Sequence, residues 1–101
     1  MSNLASQLPK SGGRVGLRLV EASDTSAVYA LNLAHPEGQA EGVLEIAVED
    51  GVVDLRLDTT APQWLQDLAR LLARTAWRNR QHQPWPRRIT RWRPEPPRAS
   101  S

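Results

Sequence analysis

The residues best equipped for recognition chemistry crowd toward the C-terminal end of the chain. Arg70, Arg74 and Arg78 recur at helical spacing, Arg80, Arg87, Arg88, Arg91 and Arg93 continue them, and Trp77, Trp85 and Trp92 are interleaved. A guanidinium grips phosphate or carboxylate through a planar fork of donors, and an indole offers a flat apolar face for a base, an aliphatic surface or a cation. Three uses follow from that chemistry. The cluster can anchor a protein interface, where Trp and Arg are the usual hot-spot residues. It can stack and neutralise single-stranded nucleic acid. It can also pack cation on ring within the molecule itself. For a partner of the first kind, the expected contact residues are Trp77, Arg78, Trp85, Arg88, Arg91 and Trp92.

Catalytic chemistry finds little support. His35 sits in a turn sequence and His82 follows the last helical pattern, neither with an acidic orienter or a nucleophile at meaningful spacing. The chain has no cysteine, which removes disulfides, thiolate metal sites and a cysteine nucleophile, and fits a reducing compartment. Glu45, Glu49, Asp54 and Asp58 fall on alternate positions of two strand patterns and read as a solvated sheet face, or as the surface on which the basic end rests. The expectation is a protein that is not an enzyme and carries neither cofactor nor metal.

The net charge of +2 conceals a division. Residues 1–60 hold Lys10, Arg14, Arg18 and Arg56 against nine carboxylates, whereas residues 61–101 hold nine arginines against Asp67 and Glu95. Oppositely charged halves point to an acidic partner for the basic half, or to two halves that face each other within the fold or in a homo-oligomer. A length of 101 residues suits one domain with one core. Residues 1–13 lack the apolar run of a secretory signal, and no stretch approaches the length of a membrane span, so a cytoplasmic location is expected.

The elements that must position these groups follow from periodicity. Residues 1–13, with Pro9 and Ser11-Gly12-Gly13, read as a flexible leader, residues 14–93 as a single domain, and residues 94–101 as a disordered, proline-rich tail. Alternation places Val15, Leu17 and Leu19 on the inner face of a first strand, and Ala27, Tyr29, Leu31 and Leu33 on that of a second. Leu44, Ile46 and Val48 serve a third, and Val53, Leu55 and Leu57 a fourth after the Asp50-Gly51 turn. Thr60 to about Arg80 reads as one amphipathic helix. Thr60 and Gln63 are placed for a capping box, and Trp64, Leu65, Leu68, Leu71, Leu72, Thr75 and Ala76 form the buried side. Pro84 ends it, and Arg88 to Arg93 suit a short fifth edge strand guarded by arginines. The fold class is therefore α+β: a four-stranded antiparallel meander covered on one face by a single C-terminal helix, with room for that fifth strand.

One run of residues resembles a known family. Leu31-Asn32-Leu33-Ala34-His35-Pro36-Glu37, then Gly42-Val43-Leu44-Glu45-Ile46-Ala47-Val48, Glu49-Asp50-Gly51, Val52-Val53-Asp54-Leu55-Arg56-Leu57 and a helix with Leu65, Leu68, Leu71 and Leu72 is similar to the C-terminal substrate-specificity-switch domain of flagellar hook-length and type III secretion needle-length control proteins. Pro36 and Gly42 stand further apart than in that family, and a short leader replaces its long ruler segment. The resemblance implies a non-enzymatic module that docks on the cytoplasmic face of a bacterial export apparatus; it does not extend to length control. The alternative is a small basic protein that binds single-stranded nucleic acid.

Overall fold

A computed structural model describes residues 9–96 of the chain. Five strands, β1 (Gly13–Ala22), β2 (Ser26–His35), β3 (Gly38–Ala47), β4 (Val53–Leu57) and β5 (Arg88–Arg93), form one antiparallel sheet in the order β4-β3-β2-β1-β5. A single helix, α1 (Gln63–Asn79), lies over one face. The first four strands follow one another as a meander. Tight turns join them: Pro36-Glu37 links His35 to its partner Gly38, and Gly51, at φ 75°, closes the turn before β4.

The helix is a topological necessity. β4 and β5 lie at opposite edges of the sheet and run in the same direction, so no hairpin can join them and a crossover is required. α1 supplies it and in passing covers the apolar side. The inner positions of the strands all meet it: Val15 and Leu17, Tyr29, Leu31 and Leu33, Leu44 and Ile46 are buried together with Leu65, Ala69 and Ala73. Burying each large aliphatic side chain contributes roughly 1.5–3 kcal/mol against the entropy of ordering the chain.

The helix differs from the expected one in two respects. Its buried stripe is Leu65, Ala69, Ala73 and Ala76, flanked by half-buried Trp64, Leu68 and Leu72, while Leu71 is 55% exposed and Thr75 is exposed with its hydroxyl bonded back to the Leu71 carbonyl. Small side chains bring the helix axis close to the sheet, so the seam runs along alanines where a leucine stripe was expected. The start also moves. Pro62 holds an extended ψ of 137°, which puts Thr60 outside the helix and leaves it no capping bond. The first-turn amides of Leu65 and Gln66 donate to the Pro62 carbonyl instead, and the Gln66 side-chain amide ties the helix start to the Ala61 carbonyl at 2.9 Å. The end falls before Pro84 as the proline requires.

Three polar ties fasten the connections to the core. The Tyr29 hydroxyl donates to the Pro86 carbonyl at 2.7 Å, the Trp77 indole donates to the Val48 carbonyl at 2.8 Å, and the Trp92 indole donates to the Ser11 carbonyl at 3.1 Å. Val48, expected on the inner face of β3, lies just past that strand, where its carbonyl serves the helix. The expected leader reaches into packed structure, since Gly12 and Gly13 are buried. A Cβ on Gly12 would stand 2.3 Å from the Arg93 carbonyl oxygen, and one on Gly13 2.7 Å from Leu65. The remainder of that leader, residues 1–8, and residues 97–101 of the expected tail lie outside the described residues.

Candidate interaction surface

The side of the sheet away from α1 has no element over it among the described residues. Residues directly opposite one another in an antiparallel pair share a face, so the register lays out this surface in rows. One row runs Arg88, Arg18, Ala30, Val43, Arg56; the next Thr90, Gly16, Asn32, Glu41; a third Trp92, Arg14, Ala34, Gln39. Past an irregularity between Leu19 and Glu21, a last row runs Glu21, Val28, Glu45, Asp54.

These rows divide the face by charge. Arg14, Arg18 and Arg88 outnumber Glu21 on the β1–β5 side, and Glu41, Glu45 and Asp54 occupy the β3–β4 side, where Arg56 is held 3.2 Å from Asp54. Arg18 and Arg88 are direct cross-strand neighbours, an arrangement that repels unless an anion is near. Among the described residues neither guanidinium makes a salt bridge with a carboxylate. Between the two charged sides the residues are small. Gly16 and Ala30 floor a broad hollow of about 720 Å³, walled by Arg14, Arg18 and Arg88 on one side and by Asn32 and Glu41 on the other. Beside it Val43 is 48% exposed.

The six contact residues expected from sequence do not gather in one place. Trp77 is half-buried against the core, its ring lies on Gly51, and the Arg80 guanidinium caps it at 4.7 Å, so this indole packs within the molecule. Trp85 is likewise half-buried against the core. Arg78 is exposed on the helix, and Arg91 is exposed on β5 at a position paired with Val15, on the helix side of the sheet. Arg88 and Trp92 alone of the six reach the uncovered face, where they join Arg14 and Arg18. Those two arginines were not among the expected contacts, although their outward direction in β1 is legible from the alternation. What the sequence does not show is that β5 returns beside β1 and adds Arg88 to them.

The histidines stay apart. His35 lines a hollow with Trp64 near the start of α1, while His82 follows its end, with the backbone amide of His82 bonded to the Asn79 carbonyl. A helix of 17 residues separates the two ends by about 25 Å. Among the described residues no group of three or more His, Asp or Glu side chains is placed to hold a metal ion, and no helix is long and apolar enough to cross a membrane. Comparison of the chain with protein-family models, with curated proteins and with solved structures finds no match.

Proposed function

We propose that this chain is a non-enzymatic protein-interaction module that docks through the uncovered face of its sheet. The observation that carries the reading is the face itself: small residues in the middle, a net-basic side and a net-acidic side, with Arg18 and Arg88 side by side and, among the described residues, in salt bridge with no carboxylate. A partner that supplies acidic groups to one side and basic groups to the other satisfies both, and complementary potentials of this kind steer and orient association. The resemblance to the substrate-specificity-switch domain supports a bacterial type III secretion component as one class of partner, met in the cytoplasm.

A photo-crosslinking residue at Val43 tests it. In cells that naturally make the protein, adducts should form at Val43 and fail to form at Asp67, which is exposed on the opposite layer. Equal labelling at both positions, or none at Val43, would remove the uncovered face as the docking surface.

A second reading draws on Arg14, Arg18, Arg88 and Trp92, which together suit a phosphate backbone and a stacked base. The carboxylates of β3 and β4 on the same face oppose it. Gel-shift titration at two salt concentrations separates the readings, since phosphate contacts release counterions and lose affinity steeply as salt rises. Tight, salt-sensitive binding that Arg18→Glu abolishes would favour nucleic acid over protein.

A further inference from the structure

We infer that the occupant of the uncovered face is a second copy of this chain, packed sheet on sheet about a two-fold axis. The inference rests on the docking reading above and adds the identity of the partner. Its basis is self-complementarity. A two-fold axis parallel to β2 leaves that strand facing its own copy and exchanges the two edges, so that β1 and β5 of one chain lie over β3 and β4 of the other. Arg18 of each copy then projects toward the row that carries Val43, between the Glu41 and Glu45 rows of the other. Arg88 projects toward the Arg56 row of β4, one row from Asp54. An axis at right angles to the strands would instead set arginine on arginine and carboxylate on carboxylate. The parallel axis also sets Arg88 over Arg56 and Glu21 over Glu45, but it lays the net-basic β1–β5 half on the net-acidic β3–β4 half, so net charge favours it over its rival.

Shape agrees with charge. Packed sheets approach to about 10 Å and cross at about 30°, which requires side chains that interdigitate across a low surface. Gly16 and Ala30 provide the low ground, and Val43 is the raised apolar side chain that the same axis brings over β1 of the second copy at Arg18, one row from Gly16. Five strands spaced at about 4.8 Å and about six residues long give a face of about 24 by 20 Å per copy. With side-chain relief, the area removed from water in the pair comes to about 1,000 Å², at the lower end of specific interfaces. A concentration-dependent dimer is the expected consequence.

Charge exchange tests the inference directly. Arg18, Arg88, Glu41 and Glu45 are all exposed, so Arg18→Glu with Arg88→Glu, and Glu41→Arg with Glu45→Arg, should each leave the fold intact by circular dichroism and thermal melting. Sedimentation equilibrium of the wild-type chain should show a mass rising from 11.3 kDa toward twice that value with concentration. Each doubly substituted chain alone should dimerise at least tenfold more weakly, and an equimolar mixture of the two should recover association as a heterodimer. If either pair of substitutions unfolds the chain, Val43→Lys serves in its place and should weaken the dimer without a partner that rescues it.

A wild-type chain that stays monomeric at several hundred micromolar overturns the inference, as does a mixture that fails to associate. The Val43 adducts keep that failure distinct from failure of the docking reading. A monomeric chain that crosslinks at Val43 to a different protein retains the docking surface and loses the dimer, whereas an adduct of two identical chains supports both.

Discussion

Tyr29 and Pro86 are 57 residues apart in sequence and 2.7 Å apart in space, the phenolic hydroxyl on the middle strand donating to the carbonyl just before β5. That bond fixes where the chain leaves the crossover and enters the sheet. The ring is fully buried and forms part of the core, so the hydroxyl meets the connector at the boundary of the apolar interior.

Tyr29 makes stability sensitive to alkali. Burial pushes its hydroxyl from a pKa of 10.0 up to about 12. In the unfolded chain the proton leaves first, so the stabilising effect is complete below pH 10 and is lost as pH rises toward 12. The melting temperature of the wild-type chain should fall through that window, and Tyr29→Phe should flatten the fall while lowering stability near neutral pH by about 1 kcal/mol. As the chain has one tyrosine, tyrosinate absorbance reads the titration directly. An ordinary titration near pH 10 in the folded protein would refute this account.

Trp77 should behave as a structural residue. Its indole is bonded to Val48, rests on Gly51 and lies under Arg80. Trp77→Ala should destabilise the chain by ~3 kcal/mol, close to the cost of emptying an aromatic site. Trp77→Phe should cost less because it forfeits only the hydrogen bond and part of the ring. Gly51→Ala should be harmful as well: at φ 75° the added Cβ would stand 2.7 Å from the Trp77 ring. Chemical denaturation of the three variants checks the order.

The alanine seam is intolerant of bulk. Ala69 and Ala73 are buried where α1 meets the sheet, and adding three carbons at either would force the layers apart at a cost of about 1–3 kcal/mol. Leu71, at 55% exposure, is the internal control. Ala73→Leu should lower the melting temperature markedly, and Leu71→Ala should change it little. The reverse result would place the helix on the leucine stripe that its sequence suggests.

Removal of β5 should unfold the domain. Truncation after His82 takes away the partner of β1 along six residue pairs, together with the acceptor of the Tyr29 hydroxyl, and leaves Leu17 without Ile89 beside it. The expected outcome is loss of the cooperative melt. A truncated chain with an intact melt would mean that the four-stranded meander and helix suffice.

How much of this was legible beforehand depends on the range of the interaction involved. Alternation shows the inner positions of β1 to β4, and Asp50-Gly51 marks its turn, because those features are local. Leu71 misleads because helical periodicity treats every apolar position near the stripe alike, and only the sheet decides whether leucine or alanine fits beneath the axis. Thr60 misleads for a related reason: a capping box can be read from spacing, but the extended backbone at Pro62 displaces it. The interaction surface was the least legible part. Arg14 and Arg18 become neighbours of Arg88 only through a pairing between the first strand and the last, and no short window of sequence contains both.

That pairing has a consequence for biosynthesis. Gly13 lies opposite Arg93, so the first strand made receives its second neighbour only when the last strand emerges. Until Arg88–Arg93 has emerged from the ribosome, β1 presents an open edge, and completion of the sheet waits on that segment. A nascent chain stalled before Arg88 is therefore the form most exposed to chaperones, proteases and mispairing with other strands.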